Sequence, residues 1–261
     1  MAHDLIPVDP KRGFVMAVRA PGHPGGEIPL TCVLGIGRNY AEHAKERGAD
    51  VPTRPMVFLK YPGCLVPSGK PIVLPRACVD PATGGAMSAT GQVDFEGELA
   101  VVIGEPARDV PEKRALDVVL GYCCANDVSA RWWQKEGSGG QFSRGKSFDT
   151  FCPLGPRVTP SSEVPDPQAL RLTTMVSGEV MQDGRTSDML FPVAALIAEL
   201  SRGATLLPGT VILTGTPSGV GAGRTPPRML KDGDEVRVSI AGERVDLGTL
   251  VNPVASEGVT A

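Results

Sequence analysis

The stretch VDFEGELAVVIG, Val93 to Gly104, alternates strictly. Odd positions run Val93, Phe95, Gly97, Leu99, Val101 and Ile103; even positions run Asp94, Glu96, Glu98, Ala100 and Val102. A period of two places successive side chains on opposite faces of a β-strand. One face is apolar throughout. The other opens with three carboxylates and then turns to Ala100 and Val102, residues suited to burial. The pattern predicts one continuous strand whose acidic end either enters a partly enclosed site or lies wet at the surface, and the segment alone leaves both open.

The rest of the chain fits a strand-rich protein. Its 261 residues include 32 glycines and 25 prolines, and uninterrupted helical periodicity is scarce, so many turns are expected. That length can bury a substantial core. The expected organisation is a short N-terminal segment, residues 1–31, followed by one main domain, residues 32–261. Strands are expected at Phe14–Arg19, Cys32–Ile36, Val57–Lys60, Ile72–Leu74, Leu120–Asn126 and Val211–Thr214. A closing antiparallel pair is expected from Glu235–Ile240 and Leu247–Val251. RNYAEHAKERG, SARWWQKEG and FPVAALIAELSRG read as helices, the first closed by Gly48 and the last by Gly203. PATGGAMSATGQ (81–92) and the Gly-rich SGGQFSRG (138–145) read as loops.

Charge and cysteine usage narrow the function classes. The net charge is −3 and no long Lys/Arg run occurs, so neither nucleic acid nor an anionic membrane is an expected partner. The N-terminus MAHDLIPVDPKRGF resembles neither a signal nor a transit peptide, and no apolar run approaches the roughly 20 residues of a membrane span. The six cysteines show no CxxC and no zinc spacing; they read as buried, reduced thiols of a cytoplasmic protein. GTPSGVG lacks the GK[ST] ending of a phosphate-binding loop.

Four groups of residues carry chemistry. Along a strand, same-face neighbours such as Glu96 and Glu98 lie about 6.5–7 Å apart. Clustered, half-buried anions repel one another unless a cation sits among them, and oxygen-only ligands suit Mg²⁺ or Mn²⁺ better than zinc. Asp94, one step further along, reads as solvated or as supporting the cluster from behind. Asp127, at a strand end before a helix, is either a helix N-cap or a third ligand. Lys146 follows the Gly-rich loop. In the first helix, His43 and Glu46 are three apart and share a face, so Glu46 can orient His43 as a general base; the alternative is an exposed helix with ordinary charges. His3 and His23 have no acid at useful spacing.

In order, GRNYAEHAKE, VFLKYPGCLVPSG, DFEGELAVVIG, GYCCANDVSARWWQ, GKSFDTFCPLGP, VILTGTPSGVG and LKDGDEV…LGTLVNPV resemble the fumarylacetoacetate hydrolase superfamily over roughly residues 30–253. The closest-looking branch contains the oxaloacetate tautomerases and acylpyruvate hydrolases of that superfamily. The resemblance implies an α+β, predominantly β fold, a mixed β-roll with few helices, in a homodimer. It implies that Glu96, Glu98 and Asp127 hold Mg²⁺, with Mn²⁺ or Ca²⁺ able to substitute. It implies catalytic roles for Lys146, His43 and Glu46, and substrate contacts for Gln134, Thr216 and Arg38, with Tyr40 beside them and Thr150 near the metal. Trp132, Trp133 and Phe142 are candidates for shaping the substrate pocket.

The implied function is a Mg²⁺-dependent enzyme acting on small 2-oxo or β-diketo (di)carboxylic acids through a metal-held enolate. C–C hydrolysis of an acylpyruvate- or fumarylacetoacetate-type substrate is the first expectation. Oxaloacetate tautomerisation or decarboxylation, or a reaction like that of 2-hydroxyhepta-2,4-diene-1,7-dioate isomerase, is the alternative. A non-catalytic binding protein would be expected to carry a defective site, whereas every element of the motif set is present.

Overall fold

The structure, a computed structural model, describes residues 2–7, 16–21, 25–79 and 91–258. Most of the 81–92 loop, the first residues of the Phe14–Arg19 strand and His23 therefore lie outside the described residues. The fold is α+β and predominantly β. Its centre is a seven-stranded mixed sheet in the order Met56–Lys60, Cys32–Gly37, Thr210–Leu213, Gly97–Ile103, Val119–Asn126, Cys152–Pro160 and Leu65–Pro67. Thr210–Leu213 runs parallel to Cys32–Gly37, and Cys152–Pro160 parallel to Leu65–Pro67. The other neighbours are antiparallel.

A five-stranded sheet packs against it, in the order Glu179–Arg185, Arg171–Val176, Glu235–Ala241, Asp246–Ser256 and Ile72–Leu74. The expected closing pair is the antiparallel ladder of Glu235–Ala241 with Asp246–Ser256. Near the N-terminus, Asp4–Pro7, Met16–Arg19 and Glu27–Pro29 form a three-stranded sheet, joined to the centre by the bridge between His3 and Val158. The helix Val193–Leu200 buries Val193, Leu196 and Ile197, the apolar stripe its sequence shows. Among the described residues, no helix is long and apolar enough to cross a membrane.

Gly97–Ile103 is buried along its whole length. It lies between two hydrogen-bonded neighbours and has the second sheet over one face. That enclosure explains why both faces turn apolar after Glu98. At Gly97 the second sheet comes so near that a Cβ would lie 2.0 Å from the Thr174 hydroxyl oxygen; only glycine fits.

Three local expectations are corrected. Residues 93–104 do not form one strand: Val93–Asp94 pairs with Ser129–Ala130, and the ladder resumes only at Gly97. Side chains capture the intervening amides, since the Phe95 N–H donates to Asp94 Oδ1 at 2.9 Å and the Glu96 N–H to Asn126 Oδ1 at 3.0 Å. The expected helix over SARWWQKEG is a single turn, Arg131–Gln134, followed by a separate 3₁₀ turn, Glu136–Ser138. The backbone leaves the helical region at Lys135, and Gly137 lies flat against the Trp132 ring. The Gly-rich stretch ends early, because Phe142–Lys146 is helical and places Lys146 at a helix end.

Replacing Gly97 by alanine is expected to destabilise the protein by about 1–3 kcal/mol through overpacking. Thr174→Ala in the same chain should recover much of that loss, because the Thr174 hydroxyl is both the clashing atom and a buried group with no hydrogen-bond partner. Chemical denaturation of the two single variants and the double variant measures the coupling; additive losses would contradict the close approach.

Candidate active site

Two strand ends deliver the acids. Glu96 and Glu98 flank the start of the central strand, and Asp127 directly follows the neighbouring strand Val119–Asn126. The Asp127 N–H donates to the Glu96 carbonyl at 2.8 Å, which locks the two chain ends together. One oxygen from each of Glu96, Glu98 and Asp127 lies within 4.8 Å of the others, and all three residues are buried. Asp127 is not a helix N-cap: the helix begins at Arg131, and Ala130 precedes it with no side-chain cap.

Cations surround most of this charge. Lys146 Nζ donates to Glu96 Oε2 at 2.8 Å and also to Asp127 Oδ2. Lys60 Nζ donates to Asp127 Oδ1 at 2.6 Å. Arg131 lies 2.7 Å from Glu96 Oε1 and grips Asp94 through Nε and a terminal nitrogen at 2.9 and 2.7 Å. Asp94 is fully buried, not solvated, and also accepts the Gly221 and Ala222 N–H groups. It therefore supports Arg131 and stands outside the three-acid cluster.

Glu98 is the exception. Among the described residues it has no ion pair, and its carboxylate accepts the Gly215 N–H at 2.6 Å. Burial, and then repulsion from Asp127 and Glu96, push its pKa well above the ordinary carboxyl value. For Glu96, burial acts the same way, but Lys146, Arg131 and His43 outweigh it and hold the carboxyl below that value. Burial likewise opposes the Lys60 charge, and Asp127 more than offsets it.

Four buried acids, Asp94, Glu96, Glu98 and Asp127, thus face three buried bases, Lys60, Arg131 and Lys146. The donor set is all oxygen, one carboxylate has no cationic partner, and the Tyr40 hydroxyl is buried without a hydrogen bond within range of the Glu98 charge. These features fit a hard divalent cation held by Glu96, Glu98 and Asp127.

A cavity opens onto this cluster. Glu96, Lys146, Arg131, Gln134 and Thr216 line its buried floor, and His43, Arg38, Phe58 and Phe142 line its walls. His43 lies in the short helix Ala41–Glu46. Its Nδ1 is 2.8 Å from Glu46 Oε1, while Glu46 Oε2 accepts the Gly219 N–H at 2.9 Å. The dyad is therefore braced by backbone. Gln134 accepts from Arg131 through Oε1 at 3.0 Å, which leaves its NH₂ as a donor. The two helices also approach closely: a Cβ on Gly145 would lie 2.4 Å from the Gln134 backbone nitrogen, so only glycine lets the Lys146 and Gln134 helices pack this way.

Some expected placements differ. The Thr216 hydroxyl borders the cavity but already donates to the Gly97 carbonyl at 2.8 Å and accepts from Gln182 at 2.7 Å. Thr150 accepts the Val73 N–H at 2.8 Å and borders a separate surface cavity. Neither tryptophan lines the pocket; Trp133 packs on Phe148 and donates to the Ala77 carbonyl. Phe142 and Phe58 shape it instead, with ring centroids 5.8 Å apart.

Lys60 and Arg131 are the residues that sequence reasoning passed over. Phe58 and Lys60 are buried on one side of the Met56–Lys60 strand, while Val57 and Leu59 are exposed on the other. An inverted alternation of that kind, with a lysine on the inner face, is a signal for a buried charge. Arg131 lies three residues before Gln134, on the same helical face.

The fumarylacetoacetate (FAA) hydrolase C-terminal family model matches residues 32–255. A protein of Burkholderia multivorans (strain ATCC 17616 / 249) with a provisional hydrolase name is 50% identical over 210 residues, 80% of this chain and 70% of its own length. Among solved structures, 5-carboxymethyl-2-hydroxymuconate delta-isomerase from Mycobacterium smegmatis is 38% identical, with a TM-score of 0.73 over 98% of this chain and 94% of its own. Fumarylacetoacetate hydrolase from the psychrophile Exiguobacterium antarcticum is 34% identical, with a TM-score of 0.75 over 98% of this chain and 100% of its own.

The unpaired Glu98 yields a signed expectation. Its folded-state pKa lies above the unfolded value, so at neutral pH its charge disfavours the metal-free fold. Glu98→Gln should raise the melting temperature in EDTA by a few degrees while abolishing the further rise that Mg²⁺ gives the parent protein. A variant that melts lower in EDTA, or keeps the full Mg²⁺ response, would contradict this electrostatic picture.

Proposed function

The chain belongs to the fumarylacetoacetate hydrolase family, and within it we propose that this protein is a divalent-cation-dependent enzyme that hydrolyses a C–C bond in small β-diketo acids. One observation carries the reading: a single cavity is lined by Glu96 of the three-acid cluster, by Lys146, which ties Glu96 to Asp127, and by the Glu46-braced His43. Glu96, Glu98 and Asp127 would hold the cation, with Mg²⁺ the best match to an all-carboxylate set. When bound, it supplies Lewis-acid stabilisation of negative charge on the substrate's 2-oxo oxygen.

The chain's own residues do the rest. The Lys146 ammonium and the Gln134 NH₂ offer donors on the cavity floor to negative charge developing on the substrate, and one well-placed donor of this kind contributes about 3–4 kcal/mol. Glu46 holds His43 Nδ1 and leaves Nε2 as the basic nitrogen. His43 takes a proton from water, and the hydroxide attacks the distal carbonyl carbon. The bond from that carbon to C3 breaks, its electron pair stays with the 2-oxo fragment, and the His43 proton passes to C3. The distal acyl group leaves as a carboxylic acid.

A second reading keeps the same residues. If His43 moves a proton at C3 without activating water, the site runs keto–enol tautomerisation of an oxaloacetate-type acid, and a distal carboxylate lost as CO₂ gives decarboxylation. The 38% identity to a delta-isomerase supports this alternative.

A panel of acetylpyruvate, fumarylpyruvate, fumarylacetoacetate and oxaloacetate, assayed with and without Mg²⁺, tests the proposal. Turnover should vanish in EDTA and return with Mg²⁺. His43→Ala should lower hydrolysis by about 10²–10⁴-fold and spare any decarboxylation. Full activity without a divalent cation, or equal loss of every reaction in His43→Ala, would overturn it.

A further inference from the structure

We propose that Arg47 is a positioning residue: through the Ala222 carbonyl it fixes the His43–Glu46 pair in place over the cavity floor, with Asp94 as the opposite anchor. The inference rests on the reading of His43 as the general base, and adds what holds that base in register with Arg131 and Glu96.

The helix that carries the pair has little of its own to hold it. Ala41–Glu46 is six residues long, and its N-cap, Tyr40, supplies no side-chain hydrogen bond. So short a helix is unstable unless tertiary contacts fix it. Asn39 fixes its start, donating to the Phe191 and Thr214 carbonyls at 3.0 and 2.7 Å and accepting the Phe191 N–H at 2.8 Å. Its end leads into no strand, because the next element begins only at Met56. Beyond the local hydrogen bonds of the helix and its closing turn, residues 41–50 are tied to the rest of the chain through Glu46 and Arg47 alone, among the described residues.

Both ties end on one loop. GVGAG, residues 219–223, has the glycine content of a phosphate-binding loop, but its amides hold the protein's own carboxylates. The Gly219 N–H donates to Glu46 Oε2 at 2.9 Å, and the Gly221 and Ala222 N–H groups donate to Asp94 at 2.7 and 3.0 Å. Ala222 works in both directions, since its carbonyl accepts from Arg47 Nη1 at 2.7 Å. Arg131 grips Asp94 from the far side at 2.9 and 2.7 Å, and itself reaches Glu96 at 2.7 Å and Gln134 at 3.0 Å. A chain of hydrogen bonds thus runs from Arg47 through Ala222 and Asp94 to Arg131. The loop also presses on the pair directly: a Cβ on Gly223 would lie 2.6 Å from Glu46 Oε2.

Arg47 stands there against the local electrostatics. It is half-buried, and burial and the Arg131 charge oppose its own, with Asp94, Glu96 and Glu46 offsetting them only in part. A cation kept where its charge is disfavoured points to a task, and the one side-chain hydrogen bond Arg47 makes among the described residues is to the Ala222 carbonyl. Arg47 also borders the cavity, so its test must separate positioning from contact with a ligand.

Steady-state kinetics of the Mg²⁺-loaded protein, on the panel acid it turns over fastest, makes that separation. Arg47→Met should lower kcat tenfold or more, the scale of a misplaced catalytic group, and leave KM within threefold. Arg47→Lys, which keeps a donor for the carbonyl, should recover most of the loss. Gly223→Ala, outside the cavity lining, should push on Glu46 and lower kcat in the same way with Arg47 intact. An unchanged kcat in Arg47→Met would overturn the proposal; a raised KM at unchanged kcat would make Arg47 a substrate contact instead. Hydrogen exchange in the metal-free protein needs no substrate. There Arg47→Met should speed exchange of the Ala44 and Gly48 amides, which donate to the Tyr40 and Lys45 carbonyls, tenfold or more, while the buried strand Gly97–Ile103 keeps the parent rates. Unchanged exchange in the helix would overturn the proposal whatever the reaction. If the parent protein turns over none of the panel, the proposed reaction fails, and the exchange result alone decides whether Arg47 holds the helix.

Discussion

Four carboxylates buried beside three cationic side chains are the constraint to which the rest of this structure answers. Removing charge from water is costly unless each charge is matched. The chain matches most of it internally: Lys60 and Lys146 take Asp127, Lys146 and Arg131 take Glu96, and Arg131 takes Asp94. Glu98, with a backbone N–H but no cationic side chain, is left as the acid whose charge costs most. An imbalance of this kind costs stability and leaves a cluster that could hold a cation, an exchange of stability for function common at active sites.

The fold concentrates these charges through close backbone approaches. At Gly97 a second sheet closes over the first residue of the central strand, and at Gly145 one short helix presses on another. The break at Phe95–Glu96 serves the same end. By ending one ladder and starting another, it lets Asp94 turn to Arg131 while Glu96 and Glu98 stay with Asp127. The short helix with His43 then closes one wall, braced at Glu46 by the Gly219 N–H.

Much of this was legible in the sequence, because it depends on local pattern. Alternation located the central strand, the apolar stripe of residues 191–203 located the long helix, and the spacing of His43 and Glu46 put them in contact. Strand alternation put Glu96 and Glu98 on one face, whereas Asp127, which could equally have capped a helix, joined them only through the family resemblance. What escaped depends on tertiary partners. The fate of Asp94 is set by Arg131, 37 residues away. The ladder break comes from an Asn126 side chain, and the Thr216 hydroxyl is claimed by Gln182 and Gly97. Lys60 was hidden because a lysine beside Phe58 and Leu59 reads as a surface residue until the strand is known to face inward.

The central claim is that this acid cluster is a cation site that Lys146 borders. Anomalous diffraction from a crystal soaked in Mn²⁺ tests it most directly. The account predicts one strong peak within bonding distance of an oxygen from each of Glu96, Glu98 and Asp127, with the Lys146 ammonium drawn away from bridging Glu96 and Asp127. No peak there at saturating Mn²⁺, with Lys146 still bridging the two carboxylates, would contradict it.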